Sequence, residues 1–231
     1  MKRFWKDDAV GAEPGGWGIR LDSRPVRTPA RAALVVPSEA LANAIAGEWS
    51  SVEDTVDPRA MPLTGLANAA VDRVAPDMDA FAADLAQYAQ SDLICYRAAG
   101  PQALVAVQST AWDALLGWAR RRYDVDFAVT EGVLHVDQPQ ATIDRLTHAV
   151  EALGTFHLAG LSPVVTIGGS LVAALAVLEK AITAQQAWDS VSIDERWQVE
   201  QWGADEDALA VIESRKRDFF AAASFLVLLE L

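Results

Sequence analysis

The sequence predicts an α+β protein that is mainly α-helical, with a small β-rich domain at residues 1–60 and a helical domain at residues 61–231. Glycine and proline are concentrated at the start, where eight of the 24 (14 Gly and 10 Pro) lie within the first 37 positions. Short β-favouring pieces lie among them, a composition typical of strands and turns. After Ser38, apolar residues recur at steps of three and four, which is the spacing of buried helix faces.

The β-rich domain is expected to hold a tight strand pair and one helix. Residues 21–26 predict two strands joined by a turn, because Asp22 and Ser23 are common turn formers. Ser38 precedes a helical pattern that reaches Trp49, so we expect its side chain to cap that helix.

The helical domain is predicted to hold seven or eight helices. Helical spacing covers residues 66–74, 78–97, 103–122, 142–158 and 184–188. A buried apolar helix is expected to be capped by Ser162, with Pro163 at its first helical position. A further helix is expected to begin with a Ser192–Glu195 capping box, and Asp205 is expected to cap the last one. Residues 125–136 predict a small hairpin, because a Glu-Gly turn separates two β-branched pieces.

Charge and composition exclude several classes of protein. Nineteen Lys and Arg against 32 Asp and Glu give a net charge of −13, so we expect neither nucleic-acid binding nor attraction to an anionic membrane. Cys95 is the only cysteine, which rules out an intramolecular disulfide. The three histidines show no metal-ligand spacing, so we expect no metal and no cofactor.

The only candidate for a membrane span is the charge-free stretch at residues 158–178. Its 21 residues could cross a bilayer, but Pro163, Gly168 and other polar or small residues dilute its first half. We therefore predict a buried helix and no stable membrane insertion, with a membrane-inserting protein as an alternative. The start MKRFWKDD lacks the apolar run of a secretory signal, so the chain is expected to stay where it is made.

The sequence contains no established catalytic motif. Neither a phosphate-binding loop nor a G-x-S-x-G elbow is present. Cys95 lies beside Leu93 and Ile94 and is expected to be a buried structural thiol. We assign no catalytic residue, although a small hydrolase with a scattered acidic site remains an alternative function.

Tryptophan is unusually abundant, with eight residues in the chain. In residues 194–203, DERWQVEQWG, two of them lie among acidic and amide side chains. Two interpretations are open: a capped helix whose tryptophans fill the core, or a protein interface in which aromatic side chains anchor a partner.

Several segments carry a resemblance to a known family. They are RFWK at 3–6, RPVRTPAR at 24–31, VVPSEALANAIAGEW at 35–49, DPRAMPLTGLANAAVD at 57–72, YAQSDLICYRA at 88–98, AWDALLGWARRRY at 111–123, GSLVAALAV at 169–177 and DERWQVEQWG at 194–203. Together they resemble the assembly chaperones of the ATP synthase catalytic head, specifically those that serve the alpha subunit. The resemblance covers essentially the whole chain in order.

The resemblance implies a fold, a partner and a role. The fold would be a small β-containing domain followed by an orthogonal helical bundle. The protein would bind the free alpha subunit, cover the surface that later meets the beta subunit, and be displaced by that subunit. It would be a non-enzymatic chaperone without a cofactor, and a monomer when free. Mitochondrial members carry an import presequence that this chain does not show, so we expect a bacterial member acting in the cytoplasm.

The resemblance also points to individual residues. Those expected to bind the client are Glu195, Gln198, Glu200, Trp202 and Glu206. Those expected to have a structural or binding role are Trp49, Asp92, Tyr96, Trp112, Asp113 and Gly203. Among the second group, Trp49 and Trp112 are expected to hold the structure.

Overall fold

The computed structural model describes residues 1–230, of which most are helical. The strands are β1 (Asp8–Glu13), β2 (Gly16–Leu21), β3 (Arg24–Pro25), β4 (Val35–Val36), β5 (Tyr96–Arg97) and β6 (Thr130–Glu131). The helices are α1 (Glu39–Ser50), α2 (Pro62–Ala69), α3 (Met78–Ala86), α4 (Gln102–Tyr123), α5 (Gln140–Glu151), α6 (Thr155–Gly168), α7 (Leu171–Leu178), α8 (Ala184–Val191), α9 (Ile193–Trp202) and α10 (Glu206–Leu229). The predicted class, α+β and mainly α with a small N-terminal sheet, is confirmed.

The chain forms two compact units. The first contains Met1–Met78, Gly154–Gly160 and the residues from Ala221 onward, and the second contains Asp79–Leu153 and Leu161–Phe220. The division of the sequence at residue 60 into two domains stays a prediction.

A four-stranded sheet is the centre of the first unit. Strand β2 pairs antiparallel with β1 on one side, and with both β3 and β4 on the other. The predicted turn between β2 and β3 is confirmed: Asp22 has a φ of 54°, and its carboxylate accepts the backbone N–H groups of Lys6 and Asp7. Those two hydrogen bonds hold the pKa of Asp22 below its usual value.

Helix α1 packs its apolar face into the core of the first unit. Leu41 and Ile45 are fully buried there, together with Ile19 from β2. Ser38 caps the helix as predicted, because its hydroxyl oxygen accepts the backbone N–H of Leu41 at 3.1 Å. Phe225 from α10 belongs to the same core.

Helix α7 is the most deeply buried element of the second unit. Its residues from Leu171 to Val177 are all buried. Ser170 caps it by accepting the backbone N–H of Ala173 at 3.0 Å. Asp92 accepts the N–H of Val172 at 2.9 Å, so two side chains satisfy the first turn of this helix.

The charge-free stretch at residues 158–178 forms two helices, contrary to the single helix expected from Pro163. Helix α6 begins at Thr155, and Pro163 lies inside it. Gly169 has a φ of 67°, a conformation that few side-chain-bearing residues adopt, and it separates α6 from α7. None of the helices described in residues 1–230 is both long and apolar enough to cross a membrane.

The hairpin predicted at residues 125–136 does not form. Strand β6 instead pairs in parallel with β5, and Gly132 donates its N–H to the Arg97 carbonyl at 2.8 Å. The Gln138 side chain bonds both the N–H and the carbonyl of Ala128. The Gln138 side chain therefore makes the backbone hydrogen bonds that a second hairpin strand would have made.

The predicted capping box at Ser192 and Glu195 is also wrong. Ser192 is buried, and its hydroxyl donates to the Trp188 carbonyl at 2.6 Å instead of capping α9. The capping box of this region lies one helix earlier, where Thr183 and Gln186 bond each other reciprocally at the start of α8.

Candidate functional site

The segment that carries most of the predicted client-binding residues is α9 and the start of α10. Helix α9 ends at Gly203, whose φ of 73° turns the chain, and Asp205 then caps α10 by accepting the N–H of Ala208 at 2.7 Å. The cap confirms the predicted role of Asp205. Helix α9 and the first turns of α10 form a corner, and this part of the chain belongs entirely to the second unit.

Trp202 is the most prominent side chain of this corner. It is 78% exposed, whereas tryptophan side chains are on average largely buried. Trp202 and Gln198 form a ridge with a hollow on each side. One hollow, of about 740 Å³, also includes Val211 and Ile212 of α10. Of the two interpretations of this segment, exposure favours an interface for Trp202.

The acidic side chains of the corner differ in their surroundings. Glu195 forms an ion pair with Arg215, which also donates to the Ile167 carbonyl at 3.0 Å. Glu200 and Glu206 are exposed and form no ion pair with any residue of the described chain. Glu195 therefore joins α9 to α10, whereas Glu200 and Glu206 keep their charge available to a partner.

Trp112 and Asp113 lie on α4, where they surround a buried arginine. The Trp112 ring is fully buried, and its indole N–H donates to the Ser190 carbonyl at 2.8 Å. The Arg97 guanidinium lies 5.2 Å from the centroid of that ring and bonds Asp113 at 2.7 Å. These contacts tie α4 to β5 and to the end of α8.

Asp92 and Tyr96 flank the short helical turn that holds Cys95. Asp92 is fully buried and accepts the N–H groups of Ile94 and Val172. Burial raises the pKa of its carboxyl to about 6, against the opposing effect of those hydrogen bonds. The Tyr96 hydroxyl bonds the His135 ring at 3.2 Å.

Trp49 belongs to the first unit, whereas the α9 corner belongs to the second. It is 9% exposed, and its ring packs edge-on against Trp5 at 5.3 Å between centroids. Of the eleven residues singled out from the sequence, Glu195, Gln198, Glu200, Trp202, Gly203 and Glu206 therefore come together at one corner. Of the other five, Tyr96 lines a hollow together with Trp202 and Gln198, and Trp49, Asp92, Trp112 and Asp113 lie elsewhere in the two units.

One exposed residue near α9, Val133, could not be identified from the sequence. Val133 is 96% exposed and lines the second hollow beside Trp202, together with Leu104 and Trp197. The sequence placed Val133 in a hairpin strand, where no special exposure would be expected. Only the parallel pairing of β6 with β5 shows that it lies beside α9.

The structure offers little for catalysis or metal binding in residues 1–230. No group of three or more His, Cys, Asp or Glu side chains there could hold a metal ion. Cys95 is fully buried, as predicted, and burial raises the pKa of its thiol to about 12. A thiol with that pKa is not a nucleophile at neutral pH.

Comparison with known proteins identifies the relatives of this fold. The model of the family described as ATP12 chaperone protein matches residues 2–120. The crystal structure of Atp12 from Paracoccus denitrificans is 43% identical, with a TM-score of 0.93 over 98% of this chain and 97% of that one. The crystal structure of the Atu1473 protein from Agrobacterium tumefaciens is 40% identical, with a TM-score of 0.92 over 97% and 85% of the two chains.

A curated relative extends the comparison to a eukaryote. The mitochondrial protein atp12 of Schizosaccharomyces pombe is 23% identical over 238 residues, which cover 98% of this chain and 82% of the relative. The fold and these matches together define a chaperone. The chain belongs to the ATP12 chaperone family, the ATP synthase assembly chaperones that its sequence motifs resemble.

Proposed function

We propose that this protein binds the free alpha subunit of the ATP synthase through the α9–α10 corner and shields its beta-facing surface. The beta subunit then displaces it as the catalytic head assembles. The observation that carries the proposal is Trp202, an aromatic side chain 78% exposed among unpaired acidic groups. Aromatic side chains dominate the binding energy of many protein interfaces, so an exposed one within a rigid helix is suited to anchor a client.

The chemistry of the corner fits a chaperone that must later release its client. An isolated subunit exposes an apolar interface that has to be covered. A single aromatic anchor surrounded by Glu200 and Glu206 would add polar and electrostatic contacts without an extensive apolar surface. Such an interface gives specificity and rapid association while leaving dissociation fast enough for exchange.

The role requires no catalytic step. Displacement by the beta subunit would supply the free energy of release, so neither nucleotide hydrolysis nor a cofactor is needed. The alternative of a small hydrolase gains no support from the acidic residues of the corner. Glu195 is engaged by Arg215. Glu200 lines a hollow beside it but is exposed to water, and Glu206 is exposed as well, so these three carboxylates are not held in a water-excluded site suited to acid–base chemistry.

We place this activity in the bacterial cytoplasm. The two solved relatives that cover nearly the whole chain come from the bacteria Paracoccus denitrificans and Agrobacterium tumefaciens. The eukaryotic relative is named as mitochondrial, which would be the corresponding compartment in a eukaryote.

Charge reversal at the exposed acids tests which surface binds the client. We expect the double variant Glu200→Lys, Glu206→Lys to bind purified alpha subunit at least ~10-fold more weakly, because both charges face the partner. The control is Glu53→Lys, Glu151→Lys, which changes the net charge equally at two exposed positions outside the corner. Calorimetry or fluorescence titration would measure the affinity, and circular dichroism the folding.

Two results would contradict the proposal in different ways. Equal weakening in both double variants would show that net charge matters and the corner does not. Equal binding of wild-type protein to alpha and beta subunits would remove the assignment of the client.

A further inference from the structure

A groove between α9 and the turn after β6 is open to a partner. Its two edges are Trp202 and Val133, which are 78% and 96% exposed. Leu93, Leu104 and Trp197 line it as well, and its volume is about 390 Å³. That volume lies within the ~300–1,000 Å³ typical of pockets that hold a ligand. Large apolar side chains on opposite edges of one groove gain hydrophobic free energy only when something enters between them.

The floor of the groove contains a buried cation with only part of its hydrogen-bonding capacity in use. Arg97 lines the groove and is 7% exposed. Its Nη2 atom bonds Asp113, but Nε and Nη1 have no partner among the described residues. Both atoms are fully buried and the guanidinium lies 5.2 Å from the centroid of the Trp112 ring, so Arg97 is a shielded part of the groove floor.

The other polar group of the floor is already satisfied. Gln108 accepts the N–H of Ala98 at 2.8 Å through its carbonyl oxygen and donates to Asp194 at 2.6 Å through its amide. Arg97 and Gln108 are both buried, so recognition of an occupant depends on the apolar edges of the groove and on the charge around it. The short β5 and β6 strands beside it hold the groove wall in place.

The charge around the groove selects a basic occupant. Residues 194–207 contain six acidic side chains and one basic side chain, Arg196. Asp194 lines the groove itself, and the buried charge of Arg97 is neutralised by Asp113. A second copy of this chain, with its net charge of −13, would be repelled, whereas a segment with flanking Lys or Arg would be attracted.

We propose that the groove takes an extended segment of the alpha subunit that presents a large apolar side chain between Trp202 and Val133 and carries Lys or Arg beside it. The inference rests on the proposed function, because the occupant is the client itself. It adds a recognition groove and a sequence chemistry to the acidic corner.

A single introduced thiol tests occupancy of the groove. Cys95 is fully buried, so Val133→Cys creates a uniquely reactive cysteine in the folded protein. We expect its maleimide modification to slow by about tenfold or more in the complex with alpha subunit, because a covered thiol reacts only when the segment leaves. The matched control is Leu134→Cys, which is 79% exposed but does not line the groove and should slow much less.

The outcomes separate this inference from the proposed function. If the complex forms and Val133→Cys reacts as fast as in the free protein, or no more slowly than Leu134→Cys, the groove proposal is overturned and the client assignment stands. If no complex forms with the alpha subunit, the proposed function fails and the groove proposal fails with it.

The same variant identifies the chemistry of the occupant. A photo-crosslinker attached to Val133→Cys would mark the segment of the alpha subunit that lies in the groove, and mass spectrometry would locate it. We expect a segment with a large apolar residue and a neighbouring Lys or Arg. An acidic segment, or one without a large apolar residue, would overturn the proposed chemistry.

Discussion

Asp92 shows how a single buried carboxylate can organise several elements. It is fully buried, yet it accepts N–H groups from its own helical turn and from the first turn of α7. Its removal would leave two buried N–H donors without acceptors, which is costly inside a protein. The family motif SDLICYR therefore contains a residue with a clear structural role, whatever else it contributes to binding.

We expect Asp92→Ala to lower the free energy of unfolding by about 2 kcal/mol or more at neutral pH, because two donors lose their acceptor. Urea unfolding followed by circular dichroism would measure the change. Asp84→Ala, at an exposed position on α3, is the control and should stay within about 0.5 kcal/mol of wild type. A similarly small effect at Asp92 would contradict the structural role.

The pH dependence of the Asp92 contribution has a defined sign. Burial raises the pKa of this carboxyl from 3.8 to about 6, so the folded state binds its proton more tightly than the unfolded state. The resulting stabilisation is complete below about pH 4 and is lost as the pH rises through about 6. The stability advantage of wild type over Asp92→Ala should therefore be larger at about pH 4.5 than at about pH 7.5, which lie on either side of the raised pKa. An advantage that grows with pH would show that hydrogen bonding outweighs desolvation.

At the scale of elements, the sheet of the first unit depends on a close backbone approach. A Cβ atom added to Gly16 would lie 2.2 Å from the Val36 carbonyl oxygen, where β2 meets β4. Gly16 also has a φ of 154°. Because the obstacle is backbone, a side chain there cannot be accommodated by a change of rotamer.

We expect Gly16→Ala to lower the free energy of unfolding by about 2 kcal/mol or more, since β2 and β4 must separate. Gly11→Ala is the matched control, because a Cβ added in the middle of β1 meets nothing within 4 Å. The control should be neutral or slightly stabilising. Thermal unfolding of both variants would decide, and equal melting temperatures would show that the strand pairing is not close.

Elements with a local chemical signal could be predicted from the sequence, and elements decided by distant partners could not. The Ser38 and Asp205 caps depend on side chains that bond a backbone N–H three residues further on, and the Asp22 turn depends on the left-handed φ of Asp22 itself. The failed hairpin depends on Arg97 and Gln138, which complete the backbone hydrogen bonds of residues 128–132. No local pattern contains that information.

The helix break at Gly169 was hidden for a related reason. A run without charged residues predicts burial, but it carries little information about where one buried helix ends and another begins. The deciding features are a left-handed glycine and the capping by Ser170, which is itself supported by Asp92 nearly eighty positions earlier. Pro163, the obvious breaker, is tolerated within α6.

The candidate site shows the same division. The motif DERWQVEQWG identified α9, but only the structure separates Glu195, held by Arg215, from the exposed Glu200. The exposure of Trp202 and its proximity to Val133 are likewise visible only in the folded structure. Residue type and spacing predict that a segment is unusual, whereas accessibility depends on packing across the whole unit.

At the scale of the whole molecule, the net charge of −13 should affect the rate at which the protein associates with its client. Exposed charges act over a Debye length, which shortens from about 14 Å at 0.05 M salt to about 4 Å at 0.5 M. We expect association with the alpha subunit to slow strongly over that range, while dissociation changes less. Stopped-flow measurement of both rates would test this, and an association rate independent of salt would contradict an electrostatic role for the acidic corner.

Co-purification would show whether this protein binds the free alpha subunit and yields to the beta subunit. The protein would be expressed with the alpha subunit alone, with the beta subunit alone and with both, and each mixture analysed by size exclusion. We expect a complex with alpha alone, none with beta alone, and loss of the alpha complex when beta is supplied. Absence of a complex with soluble alpha subunit, or a complex with alpha that persists when beta is present, would contradict the proposed function.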